Sequence, residues 1–228
     1  MSMRAAGEAR PEGEVRHAIT RDVGLLRVLP GGQPLRRAER APLPWRIRNF
    51  LLHRFRDVPA IIACRVLGRA VGLVWIESAL RLKVIRADGS IVDYGVVSRR
   101  VVTNAGVAFI VDAFQNLVEL ELLRFHGIGT GAVAEAVGDT ALGAELTTQY
   151  NPDNTRATGS LTESAANVYR TVGTNAVDAA VAITEHGILS QAATGGGTLL
   201  DRSVFAAINL ASGDSLQSTF DLTVTSGG

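Results

Sequence analysis

Apolar and polar positions alternate most clearly through ALRLKVIRADGSIVDYGVVSRRVV at 79–102. The alternation runs on both sides of Asp88-Gly89, which predicts a β-hairpin with strands near 79–86 and 91–97. The period then changes. Thr103 is placed to cap a helix start, and Val107, Ile110, Val111 and Phe114 follow at i, i+3, i+4 and i+7, predicting one apolar helix face packed on the sheet. If that face is buried, Phe114→Ala costs about 3–5 kcal/mol. Further strands are expected around TRATGSLTE and VYRTVGTN, along AAVAITEHGILS, at Thr198–Ala207 and at Leu216–Thr225, with Gly195-Gly196-Gly197 and ASGDS as turns. Six or seven short strands separated by Gly, Ser and Asp predict an antiparallel sandwich or barrel.

Between the hairpin-plus-helix unit and those later strands lies Leu123–Tyr150, LRFHGIGTGAVAEAVGDTALGAELTTQY. A strand-like run enters the glycine turn HGIGTG. Asp139 is then expected to cap a short helix that places Leu142 and Leu146 on one face. The triplet His-Gly-Ile occurs at 126–128 and again at 186–188, too short a match to define a repeat.

The N-terminal third has a different pattern. Residues 1–44 scatter prolines and glycines among charges, a composition that builds no core alone; only Val23–Leu29 reads as a single strand. WRIRNFLLHRF at 45–55 has Trp45, Asn49, Leu52 and Phe55 at helical spacings. AIIACRVLGRAVGLVWIESAL follows and is long enough to raise the question of a membrane span, but Arg65 and Arg69 near its middle each cost about 2.5–3.5 kcal/mol against insertion. A buried helix or a strand pair in an assembly interface is the expectation, with a membrane-surface helix as the alternative. The predicted organisation is an extended basic arm over 1–75, partly helical or disordered, and a β-sandwich domain over 76–228. The fold class is mainly β: an antiparallel β-sandwich or barrel with one or two short helices.

Charge sharpens this division. Residues 1–100 hold 19 of the 23 basic side chains and 9 of the 22 acidic ones, and the remainder holds 4 and 13. A basic arm on an acidic body suggests docking to an acidic surface, such as the body of another copy. Arg36, Arg37, Arg40, Trp45, Arg46, Arg48, Phe50, Arg54, Phe55 and Arg56 are the candidate subunit-docking residues. Arginines interleaved with aromatics also suit nucleic acid, but no nucleic-acid motif accompanies them. The single cysteine, Cys64, rules out an internal disulfide. The N-terminus has no apolar run of the secretory kind.

Candidate chemistry is sparse. GIGTG at 127–131 departs from a dinucleotide fingerprint because its third glycine comes one residue early and no helix opens directly; a tight turn is the expectation. His126, Asp139, Glu185 and His186 hold metal-ligating groups, but the histidines are 60 residues apart in no recognisable ligand spacing. No Gly-x-Ser-x-Gly elbow is present. Asp201 and Asp214 are possible paired acids, with Asp214 placed in a turn, where Asp commonly bonds backbone.

RRVVTNAGVAFIVDAFQ at 99–115, FHGIGTGAVAEAVGDTALGAEL at 125–146, AVAITEHGILS at 180–190 and GGTLLDRSVFAAINLASGDSLQSTFDLTVTS at 196–226 together carry a resemblance. In order and spacing they resemble tailed-bacteriophage virion proteins of the head-decoration (cement) or tail-associated β-sandwich kind. The resemblance covers about 99–226. It implies a non-enzymatic structural role without a cofactor, on the capsid surface of a virion, in a protein made in the host cytoplasm. The implied partners are the major capsid protein and other copies of the chain, as a homo-trimer or another homo-oligomer. The alternatives are a tail, baseplate or fibre-adaptor component, or a surface glycan-binding module, for which Tyr94, Tyr150 and Tyr169 are the aromatic candidates.

Overall fold

The computed structural model describes residues 38–54, 58–99 and 102–226. Its elements in chain order are β1 (Glu39–Arg40), α1 (Leu43–Arg54), α2 (Val58–Ala70), β2 (Trp75–Ile85), β3 (Ile91–Ser98), α3 (Asn104–Phe114), β4 (Phe125–Gly129), β5 (Ala157–Thr158), β6 (Ser160–Leu161), β7 (Val168–Ala176), β8 (Val181–Leu189), β9 (Leu199–Leu210) and β10 (Ser215–Thr225), with a 3-10 turn at Leu120–Leu122. The expected β-sandwich is present. One sheet has the order β1-β3-β2-β10-β7-β6 and the other β5-β4-β8-β9. All pairings are antiparallel except the two-residue β1 beside β3.

The predicted hairpin is β2–β3, turning at a Gly89 in the left-handed region (φ +80°), which a residue without a Cβ adopts freely. Two apolar clusters fill the space between the sheets. One is built on Leu80, Leu82, Val84, Ile128, Ile183, Phe205, Ile208 and Leu216, and the other on Phe109, Leu123, Ile188, Leu200, Phe220 and Leu222. A belt of buried polar side chains separates them. Along β10, Ser218 lies between Leu216 and Phe220; along β8, His186 lies between Ile183 and Ile188; along β9, Asp201 and Ser203 lie between Leu200 and Phe205.

β9 is an edge strand, so its outward N–H and C=O groups need partners. The helices supply them. Trp45 Nε1 donates to the Ala206 carbonyl at 2.9 Å, and the Ala206 N–H donates to Asn49 Oδ1 at 3.1 Å. One helical turn of α1 therefore satisfies both backbone groups of one strand residue. Asn49 Nδ2 also donates to the Val97 carbonyl on β3 at 2.9 Å, which ties the edges of the two sheets together. At the start of β9, Thr103 N–H donates to the Leu200 carbonyl, and the Thr103 hydroxyl accepts from Gly106 N–H as the predicted helix cap.

The packed body therefore begins well before residue 76. β1, Trp45 and Asn49 are built into the sandwich, with Trp45 edge-on to Tyr94 at a centroid distance of 4.7 Å. The orientation of α3 also differs from expectation. It faces the sheet through Gly106, Phe109 and Ile110, while Val107 and Val111 are exposed and Phe114 is 83% exposed. Gly106 sets this choice: a Cβ there would lie 2.7 Å from the Leu200 backbone, so only this face allows close approach. The helix predicted after Asp139 is absent. Residues 139–146 form an irregular loop that still buries Leu142 and Leu146. The single strand expected at Val23–Leu29 lies outside the described residues.

Candidate functional site

The glycine turn leaving β4 does hold an anion, and the anion belongs to the protein. Glu185 on β8 is fully buried and turns its carboxylate toward the 130–146 loop. Its Oε1 accepts from Gly131 N–H at 2.9 Å and Ala144 N–H at 2.7 Å, and its Oε2 accepts from Gly143 N–H at 2.9 Å. Arg202 of β9 completes the set, with Nε 2.9 Å from Oε2, and extends to Asp139 Oδ2 and to the Val133 carbonyl. Converging backbone N–H groups form the kind of concavity that binds phosphate in other proteins. Here three such groups and a guanidinium are already committed to one carboxylate. A Cβ on Gly131 would come within 2.5 Å of Glu185 Oε1, so the glycine is required for this approach. The GIGTG segment is therefore a lock for the loop.

A second lock stands beside it. Arg156, almost fully buried, makes a bidentate pair with Glu145 (2.5 and 2.8 Å) and donates to the Gln191 and Gly196 carbonyls. A buried guanidinium with every contact charged or carbonyl is well compensated.

The two His-Gly-Ile triplets are cross-strand partners. Gly127 of β4 pairs with Gly187 of β8, His126 with Ile188, and Ile128 with His186. The paired glycines leave a dimple in which both methyl groups of Leu142 lie: a Cβ on Gly127 would be 3.0 Å from Leu142 Cδ1, and one on Gly187 2.9 Å from Leu142 Cδ2. On the inner side the histidines meet, His126 Nδ1 lying 3.0 Å from His186 Nε2, and His126 Nε2 is 3.1 Å from Thr171 Oγ1. Burial holds the His126 imidazolium out of reach, lowering its pKa to about 3. His186 is lowered well below the usual histidine value by burial and by His126 beside it. Farther along β9, burial raises Asp201 to about 8, so it is largely neutral at pH 7; its Oδ1 accepts from Ser203 Oγ at 3.2 Å.

The four side chains considered as metal ligands therefore divide between two faces. His126 and His186 lie between the sheets, whereas Glu185 and Asp139 hold Arg202 on the loop side. Among the described residues, no group of three or more His, Cys, Asp or Glu gathers as a metal site would need. Asp201 and Asp214 are not a pair. Asp214 serves the β9–β10 turn, accepting from Ala211 N–H, Ala87 N–H and Arg86. One sign of the histidine contact is legible along the chain, the repeated triplet, whose meaning appears only once the strands pair.

The tyrosines proposed for a glycan surface are engaged internally. Tyr150 OH accepts from Ile128 N–H and donates to Ile128 C=O, Tyr169 OH donates to Leu123 C=O, and Tyr94 lies against Trp45.

Of the candidate docking residues, Arg40, Arg46, Arg48 and Phe50 are exposed, and Trp45 is turned inward onto β9. Arg54 ends α1. Arg36, Arg37, Phe55 and Arg56 lie outside the described residues. Among the described residues, no helix is long and apolar enough to cross a membrane. No protein-family model and no curated protein matches the chain.

Proposed function

We propose that this chain is a non-enzymatic structural protein of a tailed-phage virion, a capsid decoration protein that binds the major capsid protein and other copies of itself. One observation carries the reading: α1 and α3 both leave large apolar side chains exposed on the face turned away from β9. Each covers an end of β9 with one face and presents Ile47, Phe50 and Leu51, or Val107, Val111 and Phe114, with the other. Exposed apolar side chains grouped on a helix mark interaction sites, so an assembly surface accounts for both outward faces. The resembling segments support the same reading. They supply the Thr103 cap, the Glu185 lock and the β9–β10 pair, so their motifs serve a rigid body. The basic N-terminal region over 1–75 serves in this proposal to tie neighbouring subunits by raising effective concentration.

The test is to quantify the protein in purified virions against the major capsid protein. Copies in the hundreds support decoration. A few copies per particle assign it instead to the tail, baseplate or a fibre adaptor, and absence from the particle overturns the proposal.

A further inference from the structure

The two outward apolar faces carry opposite charge. α1 and α2 contain five arginines and no acidic residue. On α1, Ile47, Phe50 and Leu51 are all more than half exposed beside the exposed Arg46 and Arg48; on α2, Val66 and Leu67 are likewise more than half exposed, with Arg69 exposed on the same helix. Arg65 on the same helix is already paired with Glu77 at 2.5 Å. The segment from 102 to 123 reverses this. It contains Asp112, Glu119 and Glu121 and no basic residue. Its exposed surface joins Val111, Phe114 and Leu117 to the exposed Glu119 and Glu121. Arg124, directly after this segment, lies 6.0 Å from the centroid of the Phe125 ring and is half-buried.

Both faces flank the same edge. α3 reaches β9 at Leu200 and α1 reaches it at Ala206, a separation of roughly 20 Å along an extended strand. Exposed apolar residues grouped at this density mark interaction sites, and matched charge of opposite sign fixes the partner. We propose that the outward face of α1 of one copy docks on the α3 face of a second copy of this chain, with Phe114 as the apolar anchor and Arg46 and Arg48 facing Glu119 and Glu121. Interfaces concentrate binding in a few central aromatic and arginine side chains, and this pairing offers both. The inference rests on the charge and exposure of this chain's own surfaces and holds whether or not the assembly belongs to a virion.

Sedimentation equilibrium of the full chain tests it. The wild type self-associates. Glu119→Lys with Glu121→Lys weakens association about tenfold or more, as does Arg46→Glu with Arg48→Glu, and all four together restore it to within about threefold of wild type. Phe114→Ser also weakens association about tenfold or more while leaving the melting temperature of the dilute protein in place. A chain that stays monomeric at every concentration overturns the inference, as does a fourfold variant no tighter than either double variant. A monomer that binds phosphatidylserine vesicles through α1 makes the basic face a lipid-surface site and also overturns it.

Discussion

His126 and His186 stand on neighbouring antiparallel strands with ring nitrogens 3.0 Å apart, both sealed between the sheets. One N–H···N contact joins the two neutral imidazoles, while His186 Nδ1 is buried without a hydrogen-bond partner; protonating either ring places an ion where burial leaves it unsolvated. Thr171 occupies the outer nitrogen of His126. The pair is therefore part of the sandwich's polar belt, and its chemistry is that of a neutral buried bridge.

The first prediction is a stability maximum near pH 6.5. Both histidines have folded pKa values below the unfolded value of 6.5, so their contribution is complete above pH 6.5 and is lost as pH falls below it. Asp201 has the opposite sign. Its folded pKa near 8 lies above its unfolded value, so its contribution is complete below about pH 4 and is lost as pH rises toward 8. Each group contributes a slope of up to about 1.4 kcal/mol per pH unit. Below pH 6.5 two histidines oppose one aspartate, and stability falls on acidification. Between pH 6.5 and 8 Asp201 acts alone and about 2 kcal/mol is lost. Urea unfolding across pH 4–9 reads both limbs. Asp201→Asn should flatten the alkaline one, and a variant that keeps it removes Asp201 as its cause.

Glu185 anchors the second prediction. Glu185→Ala strips three backbone N–H groups and the Arg202 guanidinium of their acceptor. Breaking a buried ion pair in this one-sided way costs about 3–5 kcal/mol. Glu185→Gln keeps the shape and loses the charge, at an expected cost of about 1–3 kcal/mol. Hydrogen exchange gives an independent readout: the amides of Gly131, Gly143 and Ala144 should lose protection together in Glu185→Ala. Protection unchanged at all three would show that the carboxylate does not hold the loop.

These two relationships show how far the sequence could be read. The Asp88-Gly89 hairpin was legible because its turn chemistry and the two-residue period agree within twenty residues. The side of α3 that faces the sheet was not, because NAGVAFIVDAF is apolar all round and a 3.6-residue period selects no face; the clearance at Gly106 decided it. That is also why Phe114→Ala should change dilute-protein stability by less than about 0.5 kcal/mol, the range for exposed positions. The stretch after Asp139 carried a plausible cap. Gly143 and Ala144 instead turn their N–H groups to Glu185, a partner some forty residues away that local spacing cannot announce. Asn49 was visible only as a helical position, since its two bonds go to β3 and β9.

The boundary of the folded body gives the third prediction. A chain beginning at Ala38 retains β1, Trp45 and Asn49 and should melt at a higher temperature than one beginning at residue 76. Asn49→Ala leaves the Ala206 N–H and the Val97 carbonyl without their partner, costing about 1–3 kcal/mol. Deleting residues 1–75 removes Trp45 as well and should cost about 4 kcal/mol or more. Equal melting temperatures for the chains beginning at 38 and at 76 would show that α1 is dispensable to the sandwich.

The crossing of the two His-Gly-Ile triplets gives the last prediction. Gly187→Ala places a Cβ 2.8 Å from Leu199 Cδ1, 2.9 Å from Leu142 Cδ2 and 3.1 Å from the Asp201 carbonyl. The leucine ends can shift a little, but the Asp201 carbonyl belongs to the β8–β9 ladder, where Ile188 pairs with Asp201. Overpacking of this kind costs about 1–3 kcal/mol. Leu142→Ala in the same chain opens one side of the dimple, so the double variant should lose less than the sum of the two single losses. Gly138→Ala is the control on the same loop. Its Cβ meets nothing within 4 Å and its φ is not left-handed, so stability should hold or rise by about 0.4–1 kcal/mol as the unfolded chain loses freedom. Thermal melts of the four variants separate a packing role for Gly187 from a general intolerance of substitution: equal destabilisation at 138 and 187 would leave the paired-glycine dimple without support.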